Sequence, residues 1–98
     1  MRSYEALFVI RPDLDAEQTQ AVVDKFTKLI TDNGAEVLQV DKWGKKRLAY
    51  EVRKFREGFY VLLQFKGPSS VAQELERVFK ITDEVIRYLI TRLDEKAS

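Results

Sequence analysis

The chain has 98 residues, with 17 lysines and arginines, 16 aspartates and glutamates, and a formal net charge of +1. It contains no cysteine and no histidine, which excludes disulfides, thiol nucleophiles, thiolate or imidazole zinc sites and the usual general base at neutral pH. The length predicts one domain over residues 1–94, followed by a short polar tail over residues 95–98. No apolar run approaches the roughly 18 residues of a membrane span, and the first residues lack the features of a signal peptide. We therefore expect a cytoplasmic protein.

The first third of the chain predicts a strand and then a helix. Residues 3–10 alternate between two largely apolar sets, which is typical of a central strand with both faces covered. A helix follows, because Asp15 and Gln18 can form a capping box and an apolar stripe repeats at helical spacing. Asn33-Gly34 supplies the left-handed residue that ends this helix.

The middle of the chain predicts a hairpin of two strands. Residues 37–52 read as one long strand, in which Gly44 marks a bulge or a bend. Residues 53–58 are predicted to form the turn, which ends at Gly58. Residues 59–65 would then return as a second strand that is apolar on both faces and therefore central.

The last third of the chain predicts a second helix and a last strand. Ser69 or Ser70 is expected to cap the helix, with Pro68 just outside it, and residues 84–93 form the strand. The order of elements is therefore βαββαβ. Right-handed crossovers then give an α+β ferredoxin-like plait, with a four-stranded antiparallel sheet in the order 4-1-3-2. Both helices would cover one face of the sheet and leave the other face bare.

Charge is sorted along the chain rather than spread evenly. Residues 42–56 hold seven cations and a single acid, Glu51, with aromatic residues interleaved among them. A cation placed against a phosphate releases counterions, so such a cluster is typical of nucleic-acid binding. Because neighbouring residues of a strand point to opposite faces, Lys45, Lys46 and Arg47 cannot form one row. An alternative interpretation is that lysines protect an edge strand from pairing with other chains.

Enzymatic chemistry finds little support in the remaining residues. The four glycines stand at turns, bends or helix boundaries rather than in a phosphate-binding loop. Asp13 and Asp15 lie where a helix begins, so capping and the helix dipole explain them better than paired acid–base catalysis. We therefore expect no enzyme, no metal, no cofactor and no small-molecule substrate.

The stretch "WGKKRLAYEV" resembles a known family. The signature G-x-[K/R]-R-L-A-Y-x-[I/V] of bacterial small-subunit ribosomal protein S6 is matched by Gly44, Lys46, Arg47, Leu48, Ala49, Tyr50 and Val52. The opening "MRSYEALFVIRPDLD" is also similar to the start of that family. The resemblance extends through about Leu93.

This resemblance implies a non-enzymatic component of the small ribosomal subunit. It implies binding to the central domain of small-subunit ribosomal RNA as a heterodimer with small-subunit ribosomal protein S18. By resemblance, the phosphate contacts would come from Arg2, Lys45, Lys46 and Arg47. Charge alone adds the RNA-binding candidates Arg53, Lys54, Arg87 and Arg92.

The uncharged residues of the signature are interpreted as structural. Leu48 and Ala49 are expected to pack, Tyr50 to pack or to stack, and Gly44 to permit the bend that aims the cations. An alternative to the ribosomal reading is a free plait module. Such a module would be either an RNA-recognition-like binder, stacking bases on aromatic residues of its central strands, or a regulatory domain that dimerises through its bare sheet face.

Overall fold

The computed structural model describes residues 2–93 as one α+β fold, and the predicted tail over residues 95–98 lies outside the described residues. The elements follow in the order β1 (Arg2–Ile10), α1 (Ala16–Asp32), β2 (Glu36–Val52), β3 (Phe55–Gly67), α2 (Ser69–Ile81) and β4 (Val85–Arg92). Among these residues, neither helix is both long and apolar enough to cross a membrane.

The four strands form one sheet in the order β2-β3-β1-β4, with every neighbouring pair antiparallel. This is the predicted order counted from the opposite edge, and β1 and β3 are central as expected. Both helices pack on one face of the sheet, and the face without helices is called the open face below. Alternation along β1 turns Phe8 toward the helices and Val9 toward the open face.

The core lies between the sheet and the two helices, and three phenylalanines form its centre. Phe8 of β1, Phe26 of α1 and Phe79 of α2 contact one another with ring centroids 4.5–5.3 Å apart. Each of the three is at most 1% exposed. Because the three rings come from three different elements, this cluster fixes both helices against the sheet.

The two helices begin differently. At α1 the predicted capping box is confirmed: the Gln18 backbone N–H donates to Asp15 Oδ1 at 2.8 Å, and the Asp15 N–H donates to Gln18 Oε1 at 3.0 Å. The predicted serine cap of α2 is wrong. Pro68 is the N-cap, and no side chain caps the helix. The fixed φ of proline suits a helix start, and the Pro68 carbonyl accepts from the Val71 N–H at 3.1 Å.

Gly44 marks a bulge in β2, as predicted. The pairing of β2 with β3 shifts between Lys42 and Gly44, so Trp43 is an extra residue on β2. Gly44 has φ +88°, a left-handed conformation that favours glycine. The bulge lies directly before the run of cations that begins at Lys45.

The turn begins at Arg53 as predicted, but its predicted extent to Gly58 is wrong, because the loop contains only two residues. Arg53 and Lys54 have φ values of 51° and 70°, and the strands pair again directly at Val52 and Phe55. Two left-handed residues are the geometry of a two-residue hairpin loop, which asparagine and glycine usually signal. Gly58 lies inside β3 instead. A Cβ at this position would overlap Val9 Cγ1, so the glycine permits close packing rather than a turn.

Candidate nucleic-acid interface

The hairpin of β2 and β3 presents the three consecutive cations on alternating sides. Lys45 lies opposite Phe59, Lys46 opposite Gly58 and Arg47 opposite Glu57. Residues paired across two strands share a face, so Lys45 and Arg47 lie on the helix side and Lys46 lies on the open face. The sheet edge therefore carries positive charge on both of its sides.

Five cations of the hairpin border one shallow groove, which we call the cationic groove: Lys45, Lys46, Arg47, Lys54 and Arg56. All five are exposed. Within residues 2–93, Arg56 is the one member with an ion pair, at 3.6 Å from Glu51. The other four cations have no ion pair within residues 2–93, and Glu57, opposite Arg47, is the one carboxylate among the described residues that border the groove.

Aromatic residues support the groove from the open face. The Trp43 ring stacks on Tyr60 with centroids 6.3 Å apart and 9° between the planes. Lys46 Nζ lies 5.2 Å from the centroid of the Trp43 ring, within the range of a cation–π contact. The extra residue of the bulge therefore gives Lys46 a fixed platform.

The signature residues beyond Arg47 hold the hairpin against the open face. Between the pairs Arg47–Glu57 and Val52–Phe55, β2 has four residues, 48–51, where β3 has only Arg56. This part of β2 therefore bends across the sheet. Leu48 is 9% exposed and packs with Val9 and Ile86, as its predicted packing role requires. Ala49 is exposed, in contrast to the packing expected for it.

Tyr50 connects the hairpin to β4 through Arg87. Arg87 donates to the Tyr50 hydroxyl at 2.6 Å, and its guanidinium carbon lies 5.0 Å from the centroid of the Tyr50 ring. Of the two expected roles of Tyr50, the structure shows stacking, on a protein cation, because its side chain is 61% exposed and lies outside the core. Arg87, a candidate RNA ligand by charge, has a structural partner in this contact.

Arg53 at the tip of the hairpin is bound to the loop before β4. It donates to Asp83 Oδ1 at 2.7 Å and to the Asp83 carbonyl at 3.1 Å. Arg11 donates to the other oxygen of the same carboxylate at 2.7 Å, so Asp83 joins two cations. These bonds hold a residue with unfavourable positive φ in place. Arg53 is therefore better placed to position the hairpin than to bind phosphate.

We expect Asp83→Ala to loosen the hairpin tip without unfolding the domain. Asp83 is 71% exposed, so the loss of its ion pairs should lower the free energy of unfolding by no more than about 1 kcal/mol. Faster amide exchange and lower backbone NMR order parameters at Arg53 and Lys54 are the expected results. Unchanged order parameters would show that Asp83 does not hold the turn.

Arg11 also binds Asp13, with bonds of 2.8 Å and 3.0 Å to its two oxygens. The hydrogen bond from Arg11 holds the pKa of Asp13 below its usual value. A depressed native pKa stabilises the fold above the unfolded-state pKa near 4, and the contribution is lost as the pH falls through the native pKa. In an NMR titration, Arg11→Gln should therefore raise the pKa of Asp13 toward its ordinary value. A pKa that does not move would contradict this assignment.

The remaining two predicted ligands lie far from the cationic groove. Arg2 pairs with Gly67, whereas Lys46 pairs with Gly58, which places them about 30 Å apart along β3 at about 3.4 Å per residue. Arg92 lies opposite Tyr4 near the same distant end and is half-buried. The structure thus gathers Lys45, Lys46, Arg47 and Lys54 and leaves Arg2 and Arg92 apart.

Two residues of this region were not among the sequence candidates. Arg56 lies in the cationic groove, and Lys42 borders a neighbouring cleft, where it donates to Gln20 Oε1 at 2.6 Å. The charge count over residues 42–56 contained both, but only the register with β3 shows which cations share a surface. Within residues 2–93, no group of three or more carboxylates could hold a metal ion.

The sequence and the fold are both similar to those of known proteins. The family model for ribosomal protein S6 matches residues 3–92. Small ribosomal subunit protein bS6 of Moorella thermoacetica is 72% identical over 98 residues, which is the full length of both chains. The bS6 protein of Heliobacterium modesticaldum is 58% identical, covering 98% of this chain and all of its own. The crystal structure of 30S ribosomal protein S6 from Thermotoga maritima matches with a TM-score of 0.91 at 31% identity, covering 98% of this chain and 91% of that one.

Proposed function

Because the chain belongs to the ribosomal protein S6 family and is therefore a protein of the small ribosomal subunit, we propose that it binds ribosomal RNA there as a structural component. We propose further that its target is the central domain of the small-subunit RNA, bound together with ribosomal protein S18, and that it catalyses no reaction. RNA binding at the cationic groove is the central claim, and the binding of S18 is a second, separable one.

The observation that carries the RNA proposal is the excess of cations in the cationic groove, where five cations stand against one carboxylate, Glu57. Lys45, Lys46, Arg47 and Lys54 are exposed and have no ion pair within residues 2–93. Such groups are free to exchange counterions for phosphates. Protection of the β2 edge would explain one or two lysines, but Lys54 lies in the turn and Arg56 lies on β3.

The anchored hairpin supports the same proposal. The contacts of Arg53 with Asp83 and of Arg87 with Tyr50 hold the hairpin from two directions. A surface that is already ordered loses less conformational entropy on binding, so the same phosphate contacts give a higher affinity. The candidates that make internal contacts therefore contribute by positioning the residues of the cationic groove.

The proposed partnership with S18 is supported by the small number of cations and by the open face. Four phosphate contacts give weak binding at physiological salt, so a second protein that adds contacts would be needed for stable assembly. The open face leaves Leu89 63% exposed, with Leu7 and Leu62 only half-buried beside it. An apolar surface of this kind suits a protein partner.

A salt series tests the proposal. The Kd for a central-domain RNA fragment should be measured with this chain alone, with S18 alone and with both. If about four cations of this chain release counterions, adding it to S18 should steepen the plot of log Kd against log salt by roughly 3–4. No binding by the folded pair at any salt would contradict the proposal and favour edge protection, and a chain that forms a homodimer instead would favour the regulatory module.

A further inference from the structure

We propose that the cleft between β2 and the start of α1 binds an unpaired nucleobase of the RNA, with Phe59 as its stacking surface and Lys45 beside its phosphate. This inference rests on the proposed RNA binding and identifies the kind of RNA element that is recognised. It predicts a preference for single-stranded or bulged RNA over a continuous duplex.

The cleft has the size and the lining of a site for a planar, largely apolar group. Its volume is about 410 Å³, within the range of roughly 300–1,000 Å³ typical of small-ligand pockets. Pro12, Leu14 and the half-buried ring of Phe59 supply its apolar surface. Aromatic side chains are the usual platforms for unpaired bases, because every base has a π face.

Positive charge lies directly beside this apolar surface. Lys45 and Phe59 are paired across β2 and β3, so the ammonium group and the ring belong to the same face of the sheet. Lys42 also borders the cleft, and its partner on β3 is Val61, two residues beyond Phe59. Among the described residues that line the cleft there is no carboxylate. A base on Phe59 would therefore place its phosphate next to a lysine, whereas the carboxylates of Asp13 and Asp24, just outside the lining, are already bonded to Arg11 and Gln20.

The cleft is continuous with the cationic groove. Pro12 and Lys45 border both of them. An RNA strand that binds Lys46, Arg47 and Lys54 through its phosphates would therefore pass the mouth of the cleft. A duplex keeps its bases stacked inside, so only an unpaired nucleotide could place its base there.

The polar side chains on the helix wall of the cleft already have partners. The Thr19 hydroxyl donates to the Asp15 carbonyl at 2.9 Å. The Gln20 amide accepts from Lys42 and donates to Asp24 Oδ1 at 2.9 Å. With these groups engaged, the base would be held by stacking rather than by hydrogen bonds to its edge. We therefore expect little discrimination among the four bases.

NMR of the full chain tests the inference with three probes: an adenosine tetranucleotide, an RNA duplex and inorganic phosphate. The tetranucleotide should shift the methyl signals of Leu14 and Ala16 together with the amides of Lys46 and Arg47. The duplex should shift the two amides but not the methyl groups. Phosphate should leave the methyl groups unchanged, and a phosphate that shifts them would show a small-anion site and overturn the inference.

A pair of matched variants adds a quantitative test. Ala16 is the exposed first residue of α1 and lines the cleft, so Ala16→Leu would narrow the cleft without removing a charge or adding an aromatic ring. Because leucine offers no ring on which a base could stack, this variant should weaken tetranucleotide binding about tenfold and leave duplex binding unchanged. Ser69→Leu, at the first residue of α2, is the control and should change neither.

The outcomes separate this inference from the proposed function. If RNA shifts the amides of Lys46 and Arg47 but never the methyl groups of Leu14 and Ala16, the cleft is not a base site and RNA binding by the cationic groove stands. If neither RNA shifts any signal at low salt, with the chain alone or with S18 added, both the inference and the proposed function fail.

Discussion

A chain carrying Lys46→Glu and Arg47→Glu is expected to bind its RNA about a hundredfold more weakly than the unaltered chain. A cation about 4 Å from a phosphate gains about 1 kcal/mol in water, and a carboxylate there loses a similar amount. Two reversals therefore change the binding free energy by about 4 kcal/mol before screening. Salt reduces this to somewhat under 3 kcal/mol, which corresponds to about a hundredfold in Kd. The measurement is the Kd for the central-domain fragment in the presence of S18.

The fold should survive this double change. Both side chains are exposed, and the ring of Trp43 is the main contact that Lys46 would lose. A new glutamate at position 47 would face Glu57, so we expect a loss of no more than about 1 kcal/mol in the free energy of unfolding.

A control with the same change in net charge is Lys28→Glu with Lys80→Glu, on the exposed sides of α1 and α2. The control should change the Kd only slightly, because both of its positions lie away from the cationic groove. Equal losses for the two double variants would show a general charge effect. That result would remove the special role of the groove.

The largest effect on stability is expected from Phe8→Ala. Phe8 is fully buried and contacts Phe26 and Phe79 at 5.3 Å and 5.0 Å between ring centroids. Removing a buried phenylalanine ring loses its transfer free energy and leaves a cavity, at a cost of about 3–5 kcal/mol. A domain of this size has a total stability of about 5–15 kcal/mol, so the variant should be close to unfolding at moderate temperature. Urea unfolding followed by circular dichroism measures the difference.

Phe8→Leu is the matched control, because it keeps most of the apolar volume at the junction of both helices and the sheet. It should cost much less than the alanine variant. A loss below about 1 kcal/mol for Phe8→Ala would show that the three-ring cluster does not hold the helices to the sheet.

Much of the fold could be predicted because its signals are local. The apolar alternation of β1, the capping box at Asp15 and the left-handed end at Gly34 each depend on residues close in sequence. The order of the strands follows from these elements and from the handedness of the crossovers. The bulge at Gly44 was also visible, since glycine inside a strand commonly marks one.

The hairpin loop and the α2 cap could not be predicted in the same way. Arg53 and Lys54 carry no local sign of positive φ, and Arg53 is held in that conformation by Asp83, 30 positions further along the chain. Gly58 gave a false turn signal, since its purpose is to let Val9 approach. At α2, two serines resembled caps, but the proline before them already fixes the start of the helix.

The candidate site was predictable in composition but not in arrangement. Sequence showed which residues are cationic, whereas only the paired register shows that Lys45 lies beside Phe59 and that Lys46 lies on the opposite face. Sequence also could not show that Arg53 and Arg87 bind partners within the domain. Long-range contacts decide which cations face outward, and no local pattern encodes them.

The most direct test of the central claim is to cleave the RNA from a probe placed on the hairpin. The chain contains no cysteine, so one introduced cysteine can carry a tethered iron chelate that generates hydroxyl radicals. Glu57→Cys is the suitable position, because Glu57 lies opposite Arg47 and its replacement leaves every cation in place. Glu76→Cys, on the exposed side of α2, is the matched control.

Small subunits assembled with each labelled chain are then compared by mapping the cleaved positions of their RNA. Binding through the cationic groove predicts strong cleavage within the central domain from position 57 and weak or absent cleavage from position 76. Cleavage from position 76 alone would place the helices against the RNA and contradict the account.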